Sequence, residues 1–480
     1  MIFGRFSGKR ASAPVPSGWC IVNHVILIRI QEILYIINVN KSHKHTLVIY
    51  MITVTQLEQL VLDQKESFLA KDTGVPRETD TGRFIKSGQI VVISGIRRSG
   101  KSTLLRQFAA RYKDFLYVNF DDDRLMEFTL ADFSTLMLVF EKTAPGTKVV
   151  FIDEIQNVYG WERFIRRIHD EGYKVFLTGS NAKLLSRELG THLTGRYVKI
   201  TLFPFSFREF LRFYAVSTEK ISTRKKAEII REFDRYLTGG GFPEYLKYRD
   251  RDYLKQTYDD ILFRDIIGRS GIREVKAFRQ LAQYLFTNVA NMASYNALKK
   301  ILGFKSVVSV RDYVGYLEEA YLVFELFKYD YSLKKQYVND KKIYCIDNGM
   351  RNAVGFRFSD DRGRLLENLV FIELLRRNQN IYFFKNAGEC DFVREERGKI
   401  VQAIQVCYDL SPENRDRELD GLTEAMQTLV IRNGIVLTYH HEERIIHKGI
   451  TVQVLPVWKW MLEQQVKDEN ELPESWISLP

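Results

Sequence analysis

The sequence predicts an α/β protein: a three-layer domain on a parallel sheet, followed by a helical lid and two further units. Three observations carry that reading. From Gln89 onward, short apolar runs alternate with amphipathic stretches, the pattern of parallel strands joined by crossover helices. One such junction holds the glycine-framed run Gly95-Ile96-Arg97-Arg98-Ser99-Gly100-Lys101-Ser102, with an apolar strand before it and a helix-forming segment after it. Another strand ends on two adjacent carboxylates, Asp153 and Glu154.

The 480 residues suffice for two to four domains at about 100–200 residues each. Hydrophobic residues at 45% and charged residues at 27% exclude global disorder and a fibrous repeat. Cys20, Cys345, Cys390 and Cys407 are far apart, with no Cys-x-x-Cys and no histidine at ligand spacing, so neither a zinc site nor a disulfide framework is expected. A reduced, cytoplasmic chain follows from that reading. The net charge is +11, of which residues 1–50 supply +5 through Arg5, Lys9, Arg10, Arg29, Lys41 and Lys44 against Glu32. The remainder is too small to establish nucleic-acid binding by itself.

In chain order, residues 20–39 form the most apolar stretch, but it contains Asn23, His24, Arg29, Gln31 and Glu32. A mid-span arginine alone costs about 2.5–3.5 kcal/mol on insertion, so no membrane span or membrane partner is expected. Residues 1–50 are read as an N-terminal extension outside the fold, with Met51 as the functional start. Residues 51–205 are read as the α/β core, opening on a regular stretch with apolar residues at Leu57, Leu60, Val61 and Leu69. Its strands are predicted at 90–94, 115–120, 149–153, 175–179 and 197–202. Residues 206–262 read as the helical lid, 263–342 as a small mostly helical unit, 343–462 as a second α/β unit and 463–480 as a tail.

The run 95–102 fits the phosphate-loop pattern Gly-x-x-x-x-Gly-Lys-Ser/Thr at every fixed position. Its glycines let successive backbone N–H groups converge on a phosphate, and the following helix adds its positive N-terminal end. Gly95, Arg98, Ser99, Gly100, Lys101, Ser102 and Thr103 are therefore the candidate nucleotide-binding residues. Lys101 is expected to reach the β- and γ-phosphates, and the Ser102 hydroxyl to ligate Mg²⁺. Asp153, at the carboxyl edge of its strand, is the second candidate for the metal, and Glu154 the group that orients or deprotonates water. The next strand leads into Ser180 and Asn181, either of which is placed to orient that water. Arg196 is the candidate cation for transition-state charge, in its own or a neighbouring subunit. Glu154, Asn181 and Arg196 thus make up the catalytic set.

The ordered motifs GIRRSGKST, VVFIDEIQN, FLTGSNAKLL, LTGRY, LFPFSFREFL and GGGFPEYL resemble the prokaryotic AAA-superfamily ATPases that carry a winged-helix segment and a C-terminal domain of unknown function. The likeness covers about residues 55–462. It implies an AAA-type core with Lys101 and Ser102 on nucleotide and Mg²⁺, Asp153 and Glu154 as the Walker B pair, and Asn181 or Ser180 as sensor. ATP as the nucleotide rests on this likeness, because phosphate contacts ignore the base.

In the middle unit, Ser294 and Gly303 bound one short helix, and Ser309 with Asp312 reads as the capping box of a second, whose apolar stripe is Val310, Val314, Leu317 and Tyr321. The pair suggests helix-turn-helix, and the resemblance implies a winged helix. The second helix is expected to expose Arg311, Gly315, Glu318 and Glu319, a poor face for base edges. Lys299, Lys300 and Lys305 remain as phosphate contacts, so DNA and a protein partner or self-association weigh equally. The C-terminal unit looks like the restriction-endonuclease fold, with Glu367 on an amphipathic stretch and Asp391 after a strand. Where that fold's active form carries an acid and a lysine, Gln405 and Cys407 stand instead, so cutting is not expected. The leading reading is Mg²⁺-dependent ATP hydrolysis that moves the attached units; the alternatives are a slow nucleotide switch or scaffold and an ATP-gated nuclease.

Overall fold

The computed structural model describes residues 52–180, 193, 195–356 and 361–463. The readings of residues 1–50, of Met51, of Asn181 and of the tail from 464 onward lie outside the described residues.

Ile90–Ser94 (β1), Leu116–Asn119 (β2), Val149–Asp153 (β3), Lys174–Gly179 (β4) and Tyr197–Thr201 (β5) form one all-parallel sheet in the order β2-β3-β4-β1-β5. Each matches its predicted strand to within one residue. Ile90, Val92, Val150, Ile152, Val175 and Leu177 face one side of the sheet. Val91, Ile93, Phe151 and Phe176 face the other, against Leu104, Leu105 and Phe108 of the helix Lys101–Ala109. Burial on both faces is why these strands read as unbroken apolar runs.

The helix Val54–Ala70, capped by a reciprocal Thr53–Gln56 pair, buries Leu57, Leu60, Val61, Gln64 and Phe68. Leu69, apolar in the same pattern, is 62% exposed. The 3.6-residue period that starts at Leu57 carries the buried stripe to Phe68, which stacks on Tyr117.

Phe207–Phe213, Thr223–Gly239, Pro243–Tyr248 and Arg251–Asp260 are lid helices, and a π-helical stretch, Ile261–Ile267, follows. The middle unit holds helices Val275–Thr287, Tyr295–Leu302 and Val307–Glu319. Its antiparallel sheet joins Asn291–Ala293 (β6), Val323–Leu326 (β7) and Lys341–Cys345 (β8) in the order β6-β8-β7. Ser294 and Gly303 bound the first of the short helix pair as expected. The second begins earlier than expected. Its N-cap is Ser306, whose hydroxyl accepts from the Val308 N–H, because the left-handed turn at Gly303 and burial of Phe304 bring the chain to a new helix start at once. The expected boundary between 342 and 343 falls inside β8.

The C-terminal sheet joins Asn380–Lys385 (β9), Glu389–Glu396 (β10), Lys399–Val406 (β11), Gly434–Thr438 (β12), Glu443–His447 (β13) and Ile450–Pro456 (β14) in the order β13-β14-β12-β11-β10-β9. β11, β12 and β14 run parallel. The helix Arg362–Arg376, expected to be amphipathic, is buried along nearly its whole circumference, including Asn368 and Glu373. One continuous core runs from Ile96 in the phosphate loop through the lid and middle unit to Met461. Among the described residues, no helix is long and apolar enough to cross a membrane.

Candidate functional site

β4 is inserted between β1 and β3, so the carboxyl ends of these three strands lie side by side. The loop 95–100 leaves β1 there. Gly95 takes φ 153, where a Cβ would meet the Leu202 carbonyl oxygen at 2.1 Å. Arg98 at φ 66 and Gly100 at φ 94 turn the loop back into the helix that starts at Lys101. A left-handed arginine is uncommon and is held only by its surroundings. Those surroundings include Arg77, a buried residue whose guanidinium donates to the Ser99 carbonyl (2.8 Å), the Phe203 carbonyl (2.6 Å) and Glu209 (2.9 Å). Ser99 places a buried hydroxyl with no hydrogen-bond partner in the loop.

The Lys101 ammonium donates to the Gly95 and Ile96 carbonyls at 3.3 Å each and lies 3.7 Å from a Glu154 oxygen. Asp153 is 3% exposed and is bonded by the hydroxyls of Ser102 and Thr178. Burial first, and then the neighbouring Glu154 charge, push its carboxyl above the usual range, against those hydrogen bonds. Glu154 moves the other way. Burial works to raise it, but Lys101, Gln156, Ser180 and Arg97 outweigh burial and hold its carboxyl low. Its backbone is left-handed, at φ 51, with its N–H donating to the Thr178 hydroxyl at 3.0 Å and its carboxylate accepting from Ser180 (3.2 Å) and Gln156.

Lys101, Ser102, Asp153, Glu154 and Ser180 therefore converge. Thr103 faces Arg106, which donates to its hydroxyl at 3.0 Å, and the Arg98 side chain reaches Glu244 of the lid at 3.5 Å. Arg196 does not join them. Its carbonyl accepts from Ile90 at the start of β1, and its side chain pairs with Asp170 at 3.4 Å, so it sits at the opposite edge of the sheet from the phosphate loop of its own chain. Thr178, Gln156, Arg97 and Asp265 escaped the sequence reading. Thr178 and Gln156 lie within motifs already quoted, whereas Asp265, 3.8 Å from Arg97, carries no local signal.

An AAA domain family matches residues 87–211, and two domains of unknown function match 230–361 (DUF8612) and 362–460 (DUF4143). The chain is similar to an uncharacterized protein of Methanocaldococcus jannaschii, 36% identical over 84% of this chain and 95% of that one. A Haemophilus influenzae uncharacterized protein is 32% identical over 79% of this chain and 96% of its own length. The chain belongs to this AAA-domain family.

The AAA-domain protein holds a second buried cluster in its C-terminal unit. Lys342 of β8, 3% exposed, lies 2.8 Å from Asp391, 2.8 Å from Glu389 and 3.0 Å from Glu367. The Tyr344 hydroxyl donates to Glu367 at 2.7 Å, and the Val406 N–H to Asp391 at 3.0 Å. Irregular pairing of β10 around Asp391 turns that side chain toward the lysine. The cation shared by these carboxylates thus comes from a strand of a different sheet. Gln405 accepts from the Asp391 N–H and donates to Glu418.

Proposed function

We propose that this AAA-domain protein is an Mg²⁺-dependent ATPase whose nucleotide pocket repositions the lid and the units packed behind it. The observation that carries this reading is the convergence of Lys101, Ser102, Asp153 and Glu154 on a glycine-turned loop. The donor set is hard oxygen from a hydroxyl and a carboxylate, which suits Mg²⁺, and the unpartnered Ser99 hydroxyl lies in the same loop. Ser102 and Asp153 would hold the ion, which when bound neutralises charge on the phosphates. Lys101 would exchange its loop carbonyls for phosphate oxygens. Glu154, kept ionised at neutral pH by Lys101 and its hydrogen bonds, would orient water and take its proton.

Two contacts are suited to pass nucleotide state onward: Arg97 with Asp265 beyond the lid helices, and the Ser94 hydroxyl with Tyr321 of the middle unit at 2.9 Å. They transmit a change only insofar as nucleotide contacts differ between two states. A winged-helix reading of the middle unit rests on the short helix pair backed by the three-stranded antiparallel sheet. Lys300 and Lys305 are exposed there for phosphates. Glu318, expected outward, is instead part-buried and accepts from the Glu325 N–H, which removes one repulsive charge from that face.

The test is hydrolysis by the full chain with and without single- and double-stranded DNA. Lys101→Ala should lose nucleotide binding, and Glu154→Gln should keep binding while turnover falls about 10²–10⁴-fold. Normal turnover by both variants would overturn the proposal, and DNA-independent trace turnover would favour a switch or scaffold. The nuclease reading gains one observation, the lysine beside Glu367 and Asp391. That ammonium already compensates its carboxylates, so labelled DNA with Mg²⁺ or Mn²⁺ should stay intact.

A further inference from the structure

At the carboxyl ends of β11 and β12, far along the chain from the phosphate loop, three side chains meet that the proposed activity does not use. Asp409 follows β11, and His440 and His441 follow β12. The two strands are parallel neighbours, and their pairing continues past both ends through the Cys407 and Tyr439 N–H groups. One ligand atom from each of the three side chains lies within 4.8 Å of the other two. We infer that Asp409, His440 and His441 form a binding site for a borderline divalent transition ion of the Zn²⁺ type.

The loops are shaped so that backbone needs are met elsewhere and the side chains stay available. The Cys407 thiol and the Asn414 amide both donate to the Asp409 carbonyl, at 3.0 and 2.8 Å. The Thr438 hydroxyl donates to the His441 carbonyl at 2.9 Å. His441 Nδ1 is buried with no hydrogen-bond partner, although an Asp409 oxygen lies 3.5 Å away. That separation is long for a hydrogen bond. It matches two ligands on one tetrahedral ion, which at bonds of 2.0–2.2 Å stand about 3.4 Å apart. Two imidazoles and one carboxylate favour Zn²⁺, Co²⁺ or Ni²⁺ over Mg²⁺, whose preference is for oxygen alone. The carboxyl edge of parallel strands is also where open α/β sheets place ligands.

The site adjoins a contact with the lid. Tyr439, the residue before His440, stacks on Tyr408 at 4.8 Å and donates to Asp234 of the helix Thr223–Gly239 at 3.3 Å; Arg362 donates to the same carboxylate at 2.8 Å. A bound ion would staple the two loops that carry this stack.

Chelator-treated full-length protein, without nucleotide, should bind one equivalent of Co²⁺ with visible ligand-field bands, and Zn²⁺ should displace it. The double variant His440→Ala/His441→Ala should weaken Co²⁺ binding at least about tenfold. Asp409→Asn should weaken it while leaving the metal-free melting temperature unchanged, since Asp409 and His440 are exposed. Zn²⁺ should raise the melting temperature of the parent protein and not of the double variant. Absence of saturable Co²⁺ binding would overturn the inference. So would binding that survives in the double variant, which would place the ion elsewhere, for example at His43 and His45.

Discussion

Lys101 and Lys342 are 5% and 3% exposed, and both face carboxylates, yet their contacts differ in kind. Lys101 opens a helix just after a loop turned by Gly95 and Gly100, with carbonyl and carboxylate contacts of 3.3–3.7 Å that are long for a charged donor. Lys342 stands on a strand and meets three carboxylates at 2.8–3.0 Å. A cation with long contacts beside a glycine-turned loop can be handed to a ligand; one locked by a strand and three acids holds two units together. The same residue types thus make loose contacts in one place and a fastening in the other.

The largest expected effect separates these roles. Lys342→Met should cost about 3–5 kcal/mol in denaturant unfolding, because Glu367, Glu389 and Asp391 lose their shared counter-charge. Lys101→Met should cost less than about 1 kcal/mol, since Glu154 keeps Gln156, Ser180 and Arg97. Equal losses would erase the distinction. Next in size, Glu367→Gln placed on Lys342→Met should return about 1–3 kcal/mol, read as a double-mutant coupling.

Between the two lysines lies Glu318, whose carboxyl burial, aided by Glu325, pushes up to about 7. The folded state prefers its neutral form, so its contribution is complete below the unfolded value near 4.5 and fades as pH rises through about 7. Glu318→Gln should therefore melt about 2–4 °C higher than the parent at pH 8 and show no advantage near pH 4.5. The smallest effect is expected for Tyr321→Phe, which removes the bond to Ser94 and should cost about 0.5–1.5 kcal/mol. A null result there would detach the phosphate strand from the middle unit.

What the sequence disclosed follows the range of the interactions. The five core strands were legible because burial on both faces leaves an apolar run with no partner needed to interpret it. The loop 95–102 and the acids 153 and 154 were legible because each motif is contiguous and sits at a strand end. The start of the helix at Val307 was misplaced by three residues, since Ser306 and Ser309 both offer caps and only the tight turn after Gly303 decides between them. Lys342 was invisible beside Glu367 and Asp391 because 25 and 49 residues separate them, and the strand that delivers it belongs to another sheet. The nearness of Asp409 to His440 and His441 was illegible for the same reason: about thirty residues separate them, and the parallel pairing of β11 and β12 does the gathering. The place of Arg196 in its own chain was not legible because its motif shows a cation next to a strand but not which end of that strand lies by the phosphate loop.

The core that runs unbroken from Ile96 to Met461 bears on how this family changes over time. Arg376 donates to the Pro204 carbonyl at 2.8 Å, the Arg98 side chain lies 3.5 Å from Glu244, and Asn368 binds the Cys345 backbone and Asn348, so the matched segments 87–211, 230–361 and 362–460 meet through side-chain contacts. Grafting one from the Methanocaldococcus relative into this chain would import surfaces cut for different neighbours, and the chimera would have to re-evolve its seams before it folded as well as either parent.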